Sequence, residues 1–350
     1  MHYRSIADLN ATITRNLRKI PPDVDLIVGI PRSGLIPANM LSLTLNLPLA
    51  DFDGFLQGRI LAKGRTRPLQ SLTGDGGEYR RILVIDDSIN SGGSMLEARQ
   101  KLAEAGLSDK VLFCAAYGLG AEHPEADIVL ETVPRPRMFQ WNVMHHKFLA
   151  DACLDIDGVL CCDPSDVEND DGPLYEAFLR DARPFLRPTQ KVGHLVTSRL
   201  EKHRAATEAW LAEAGIEYGK LWMLDLPSAE ERRRLGAHGG FKAKVYAGLD
   251  ATLFIESEER QAVEIARLSR KPVLSIETQT ILYPDRLEDQ MRMRERQVAR
   301  DRLRGAVEAP SSRITLKRVA RRLLGSSLYG ALGRAARPVS RAAAANRQEV

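Results

Sequence analysis

Apolar and polar positions alternate in blocks along this chain. Three apolar runs mark the first third: "VDLIVGI" from Val24, "RILVIDD" from Arg81 and "KVLFCAAY" from Lys110. A helical pattern follows each of the first two, over Ile36–Leu45 and Met95–Glu104, the latter closing at Gly106. Strands alternating with helices predict a parallel sheet covered on both faces. Between the first two strand–helix units, Gln57 to Glu78 is rich in Gly, Arg, Lys and Thr and shows no period, which predicts a lid or a disordered loop. "VPRPRMFQWNVMHHK" then interrupts the pattern with two prolines and marks a domain junction. A second series follows: "ACLDIDG", "KVGHLVTSR", "KLWMLDL", "ATLFIESE" and "KPVLSIE", with helical stretches such as Arg204–Ala214 between them. The halves share no motif, so no internal repeat is read. The fold class expected is α/β: two doubly wound, mainly parallel-sheet domains over 1–145 and 150–282, then a charged helix and basic tail over 283–350.

Composition adds little to this picture, and charge adds more. The 350 residues are 44% hydrophobic and 27% charged, a globular balance, with no apolar run long enough to span a bilayer. The first residues, "MHYRSIADLN", are too polar for a secretory signal, and cytoplasmic localisation is expected. Four cysteines at 114, 153, 161 and 162 give neither a disulfide framework nor a zinc knuckle. Residues 311–350 carry nine Lys/Arg and one Glu, so in a chain of net charge +4 the remainder is acidic. Leu316, Val319, Ala320, Leu323 and Leu324 fall on one helical face, with Lys317, Arg318, Arg321 and Arg322 opposite. Such a helix suits an anionic membrane surface; docking on the body of the protein and disorder are the competing readings. Nucleic acid is disfavoured, because no aromatic residues interleave with the arginines.

Candidate chemistry lies where strands end. In "RILVIDDSINSGGSM" an apolar strand runs into Asp86 and Asp87, then into a small polar loop that opens a helix near Ser94. Ligands of open α/β sheets bind at such carboxyl ends. Glycines admit close approach of the backbone, and free N–H groups at a helix start favour an anion. The loop therefore suits a phosphate, and the acids suit sugar hydroxyls or a hard cation. This resembles the phosphoribosyl-pyrophosphate (PRPP) motif of type I phosphoribosyltransferases, with serines where threonine is common. The resemblance implies that Asp86 and Asp87 hold the ribose hydroxyls while Ser91, Gly92, Gly93 and Ser94 hold the 5-phosphate. It further implies that Arg32, Ser33 and Gly34 of "VGIPRSGLIPA", a loop often of unusual peptide geometry, bind pyrophosphate. A mobile hood is implied over Gln57–Glu78, with Arg59, Lys63, Arg65 and Arg67 as candidates to cover it.

"CLDIDGVLCCD" places Asp155 and Asp157 at the end of another expected strand, one position apart and so on one face of the pleat. Phosphoryl transfer to a carboxylate needs such a pair, one attacking phosphorus and one handling protons, with a divalent cation to offset their charge. The motif resembles the haloacid dehalogenase (HAD) superfamily, on its phosphatase side. That implies Asp155 as nucleophile, Asp157 as acid/base, and Thr197 of "HLVTSR" as a phosphate ligand. It also implies Lys242 of "GGFKAKVY" (Lys244 the alternative) as phosphate clamp, and Mg²⁺ held by Asp155, Asp157 and Glu256 (Glu258 the alternative). The short intervals between these motifs leave no room for a full cap domain, so an open site is expected. The acidic "DPSDVENDDG" is read either as part of its mouth or as a solvated turn. His145 and His146 are read as junction packing or a partner contact, Trp141 as interdomain packing, and Cys161–Cys162 as buried loop residues.

Together the motifs suggest transfer of 5-phosphoribosyl from PRPP to an acceptor, then removal of the 5-phosphate. The fused order resembles ribofuranosyl-adding proteins of bacterial polysaccharide synthesis, which implies a glycan or lipid-linked glycan acceptor. A nucleobase phosphoribosyltransferase fused to a nucleotide or sugar phosphatase, and a PRPP-sensing regulator, are the alternatives.

Overall fold

The computed structural model describes residues 1–61, 79–169 and 171–308, with side-chain surroundings through residue 302. Lys63, Arg65 and Arg67 of the expected hood and the tail helix at 316–324 lie outside the described residues. Met1–Leu287 form one compact unit, and Glu288–Val350 a second. Of the second, residues 288–308 are described, as part of the helix Leu287–Glu308, with an i,i+4 pair Arg292–Glu288 on its surface.

The first sheet follows the apolar runs. Its strands are β2 (Leu26–Gly29), β3 (Leu49–Asp51), β4 (Ile82–Ser88), β5 (Val111–Gly118) and β6 (Ile128–Thr132), all parallel in the order β3-β2-β4-β5-β6. Parallel strands covered on both faces read as continuous apolar runs, and "LIVG" and "ILVID" are buried throughout. Alternation still sorts the side chains: Ile27, Leu83 and Ile85 enter one core, and Leu26, Val28, Ile82 and Val84 the other. Helix α1 (Ile6–Asn16) starts at a capping box in which Ser5 and Asp8 satisfy each other's backbone N–H. Helix α2 (Leu35–Leu45) ends at Asn46 in the left-handed region. Short α3 (Phe52–Leu56) is capped by Asp51, and α4 (Gly93–Glu104) follows β4. The amino-terminal strand β1 (His2–Arg4) pairs in parallel with β7 (Arg137–Phe139).

The second sheet runs β10-β9-β8-β11-β12-β13. Its members are β8 (Ala152–Leu154), β9 (Val192–Leu200), β10 (Tyr218–Leu224), β11 (Leu253–Glu256), β12 (Val273–Ser275) and β13 (Thr280–Leu282), with only β13 antiparallel. The helices between them are α5 (Pro173–Asp181), α6 (Arg204–Glu213), α7 (Ala229–Leu235), α8 (Ala237–Ala247) and α9 (Glu259–Ser269); α10 (Leu287–Glu308) follows. Met138, Val143 and Met144 belong to the core under this sheet, and Met1 and Tyr3 pack against it. Tyr3 also donates to Gln279 (2.9 Å), and Tyr283 donates to the Met1 carbonyl (2.5 Å). The junction is therefore a shared core within one unit rather than a bare linker.

Each sheet reverses its winding direction once, between β2 and β4 in the first and between β8 and β11 in the second. Such switch points open a crevice at the strand carboxyl ends. Both predicted acid pairs lie there.

Candidate functional sites

At the first switch point, β4 continues through Asp86 and Asp87 to Ser88, so the acids occupy its last turns rather than the loop beyond it. Both are buried, 9% and 6% exposed. The Asp87 N–H donates to Asp86 Oδ1 (2.8 Å). Ser33 Oγ donates to Asp87 Oδ1 (2.8 Å), which ties the "PRSG" loop to the acid pair. A Cβ on Gly34 would stand 2.5 Å from the Ile30 carbonyl oxygen, 2.8 Å from that of Ile85 and 2.9 Å from Asp86 Oδ1. Only glycine lets this loop close against the end of β4. The Pro31–Arg32 peptide bond is cis, and Arg32 is exposed. Burial first, then the neighbouring Asp87, pushes the Asp86 carboxyl up to about 8.

Gly92 has φ 79°, and a Cβ there would meet His123 and Glu125; α4 starts at the next residue, with no side-chain cap. Ser91, Gly93 and Ser94 are exposed around that helix start, whose first N–H groups suit a phosphate. Arg59, the one hood candidate among the described residues, lies 3.6 Å from Asp51.

Trp141 corrects the expectation of interdomain packing. Its Nε1–H donates to Asp87 Oδ2 (2.6 Å), and its ring stacks on Phe139 (5.1 Å, 7°), which stacks on Tyr117 (5.2 Å). Both Asp87 oxygens are therefore oriented before any ligand arrives. A tryptophan beside two prolines carries no sequence signal for this role, because its partner lies on another element.

At the second switch point, pairing of β8 stops at Leu154, so strand alternation does not orient Asp155 and Asp157. A turn through Gly158 (φ 72°) does so instead, and the two acids go to different cations. Asp155, buried, accepts from Lys242 Nζ (2.6 Å) and from the Ile156 N–H (2.8 Å). Lys242, on α8 and 2% exposed, also donates to Glu256 Oε2 (2.8 Å) and Gln261 Oε1 (3.0 Å). Lys244 is exposed. Burial raises the Asp155 carboxyl well above its ordinary value, against Lys242 and with Glu256 and Asp157. Burial would lower the Lys242 ammonium, yet Asp155 and Glu256 raise it.

Arg199 was not singled out from the sequence. It is wholly buried at the end of β9 and forks onto Asp157, with Nη2 at 2.6 Å and Nε at 3.1 and 3.2 Å. Burial alone would raise the Asp157 carboxyl, but Arg199 holds it below its ordinary value. The available signal was the arginine two positions after Thr197 on a strand too apolar to leave a charge unpaired. Thr197, fully buried, accepts from the Arg199 N–H (3.2 Å).

These residues do not gather a metal as they stand. Lys242 lies between Asp155 and Glu256, Asp157 is turned to Arg199, and Glu256 Oε1 takes the N–H and hydroxyl of Ser257. Glu258 is exposed and accepts from Gln261 (2.8 Å). Among the described residues, no three or more His, Cys, Asp or Glu side chains are grouped to hold an ion.

Of the acidic segment, Asp163 lies beside the Gly158 turn, and burial and the charge of Asp157 raise its carboxyl. Asp171 instead pairs with Lys202 (2.8 Å) and His203 (3.3 Å). Cys161 is buried and donates to Asp157 (3.4 Å), whereas Cys162 is exposed, against expectation, because its side of the loop faces solvent.

Residues 2–148 match the phosphoribosyl transferase domain family. The chain is similar to an amidophosphoribosyltransferase of Synechococcus elongatus, 30% identical over 120 residues; the match covers 31% of this chain and 24% of that protein, about a quarter of its length. Among solved structures, a purine phosphoribosyltransferase of Pyrococcus horikoshii aligns at 18% identity with a TM-score of 0.27, over 40% of this chain and 92% of that one. A Helicobacter pylori xanthine-guanine-hypoxanthine phosphoribosyltransferase aligns at 17% identity with a TM-score of 0.28, over 41% and 92%. No helix among the described residues is long and apolar enough to cross a membrane.

Proposed function

With a phosphoribosyltransferase domain at residues 2–148 as its starting point, we propose that this chain transfers 5-phosphoribosyl from PRPP to a glycan or lipid-linked glycan acceptor and then hydrolyses the 5-phosphate. The observation that supports this most is the second constellation. Asp155 follows β8, Thr197 and Arg199 lie on β9, Glu256 ends β11 and Lys242 comes from α8, all at one switch point of a chain whose other switch point carries the phosphoribosyl motif.

In the first step Asp86 and Asp87 hold the ribose hydroxyls. The Ser91–Ser94 loop and the start of α4 hold the 5-phosphate, and Arg32, Ser33 and Gly34 take the pyrophosphate. The acceptor hydroxyl oxygen attacks C1, the bond from C1 to pyrophosphate breaks, and pyrophosphate leaves with the electron pair and takes up the hydroxyl proton. Mg²⁺ enters with PRPP as the counter-ion of that substrate.

In the second step Asp155 attacks phosphorus, and the ribose oxygen leaves with a proton from Asp157. Water, losing its proton to Asp157, then releases phosphate. Lys242 and Thr197 hold the phosphate. Arg199 keeps Asp157 charged in the free protein, which suits it as the base for water. An incoming phosphate dianion raises its proton affinity and prepares the acid half.

The test supplies PRPP, Mg²⁺ and an extract of lipid-linked glycans and follows products by mass. Asp157→Asn should accumulate a phosphoribosyl adduct that the unaltered protein converts to a ribosyl one. Conversion of a nucleobase to its nucleotide, with no glycan adduct, would sink the reading.

A further inference from the structure

Beside the acid pair of β4 lies a cavity of about 440 Å³. Its polar lining is Ser88, Asn90, Arg135, Arg137, Asn142 and His146. Among the described residues no Asp or Glu lines it, and the hydrogen bonds of its two arginines go to Asn90 and to the Ile89 carbonyl.

The hydrogen bonds already made engage acceptor atoms of Asn90, Asn142 and His146 and leave donors. Asn90 Oδ1 accepts from Arg135, and Asn142 Oδ1 accepts from the Phe139 N–H (3.3 Å). His146 Nδ1 accepts from the Phe148 N–H (3.2 Å), so the neutral ring carries its proton on Nε2. Arg137 Nη2 donates to the Ile89 carbonyl (2.7 Å), while its Nη1 is buried without a partner. The two guanidiniums are close enough that Arg135, after burial, disfavours the charge on Arg137; Asp87 favours it, but Ser33 and Trp141 already take the oxygens of Asp87. Phe139, Phe148 and Pro136 give the same cavity apolar walls.

A buried donor and two adjacent cations, with no carboxylate in the cavity lining, call for an anion. We propose that this cavity is the acceptor subsite and that the acceptor carries an acidic group, a phosphate ester or a carboxylate, which Arg135 and Arg137 bind while its apolar part lies against Phe139 and Phe148. This names the acceptor class for the proposed transferase and rests on that reading; the cavity chemistry itself does not.

The test uses the full chain with ¹³C-methyl methionine. Met1 and Met138 line the cavity, and Met223 lies in the second core as a control. Hexyl phosphate, hexanoate and hexanol are titrated. The proposal expects one or both anions to shift Met1 and Met138, and hexanol to do so at least tenfold more weakly. Phosphate alone assigns a phosphate ester, and hexanoate alone a carboxylate. Arg137→Leu should weaken the anion by about tenfold or more. Arg135→Ala removes an exposed side chain and should weaken it in the same direction even where Arg137→Leu impairs folding. Hexanol binding as tightly as the anions, or anion affinity unchanged in Arg135→Ala, overturns the proposal. Anion binding without any PRPP turnover refutes the transferase reading and leaves the cavity assignment standing.

Discussion

Replacing Lys242 with Met tests how the second constellation is held together. The stem is nearly conserved in volume, but the ammonium at 2.6 Å from Asp155 and 2.8 Å from Glu256 disappears. Both carboxylates are buried, so each keeps its desolvation cost without its cation. Breaking a buried pair in this way costs about 3–5 kcal/mol, a large share of a typical stability of about 5–15 kcal/mol. The pH dependence gives the cause a signature. The Lys242 ammonium is raised in the folded protein, so its stabilisation is complete below the ordinary lysine value and constant across neutral pH. Asp155 is raised above 3.8, so the folded state holds more protons than the unfolded one, and stability falls as pH rises above that value. Removing the cation raises Asp155 further. The deficit of the variant should therefore grow once pH rises past the folded-state value of Asp155 in the unaltered protein, which lies well above 3.8. Urea midpoints at several pH values, read by tryptophan fluorescence and circular dichroism, measure it. Adding Asp155→Asn to Lys242→Met should recover much of the loss, because one buried charge is then gone. A loss under about 1 kcal/mol, or one independent of pH, would refute the reasoning.

Trp141→Phe keeps the stack on Phe139 but removes the bond to Asp87, and should cost about 1.5–3 kcal/mol in urea melts while raising the KM for PRPP. Gly34→Ala forces a Cβ to 2.5 Å from the Ile30 carbonyl oxygen, and should raise the same KM with the Lys242 region intact, as phosphomonoester hydrolysis would show. For Arg199→Met the sign is opposite to Asp155: Asp157 is depressed, so its stabilisation is present above 3.8 and is lost as pH falls through the folded value. The gap between that variant and the unaltered protein should therefore close below about pH 4 in urea titrations. Asp86, raised to about 8, favours folding less as pH climbs from 3.8 towards 8, and Asp86→Asn should flatten that slope.

What the sequence shows is set by how local the physics is. The runs at Leu26, Ile82 and Val111 are legible because strands buried on both faces must be apolar. Gly34 and Gly92 are legible because close backbone approach admits no side chain. Lys242 is identified by resemblance, and the structure places it rather than Lys244 against Asp155. Contacts between distant elements were not legible: Trp141 with Asp87, Arg199 with Asp157, and the parallel pairing of β1 with β7. The strand alternation expected to orient Asp155 and Asp157 does not reach them, because the strand stops one residue before the first of them. The domain junction hid a shared core, since Met138, Val143 and Met144 read as interruptions in sequence yet pack under the second sheet.

The most direct measurement of the central idea compares the mass of lipid-linked glycans after incubation with PRPP and either the unaltered chain or Asp157→Asn. A gain of one pentose in the first case and one phosphopentose in the second is the predicted result. An identical product from both proteins, or no adduct with either while PRPP is consumed on a nucleobase, would contradict the idea that one chain installs this phosphate and then strips it.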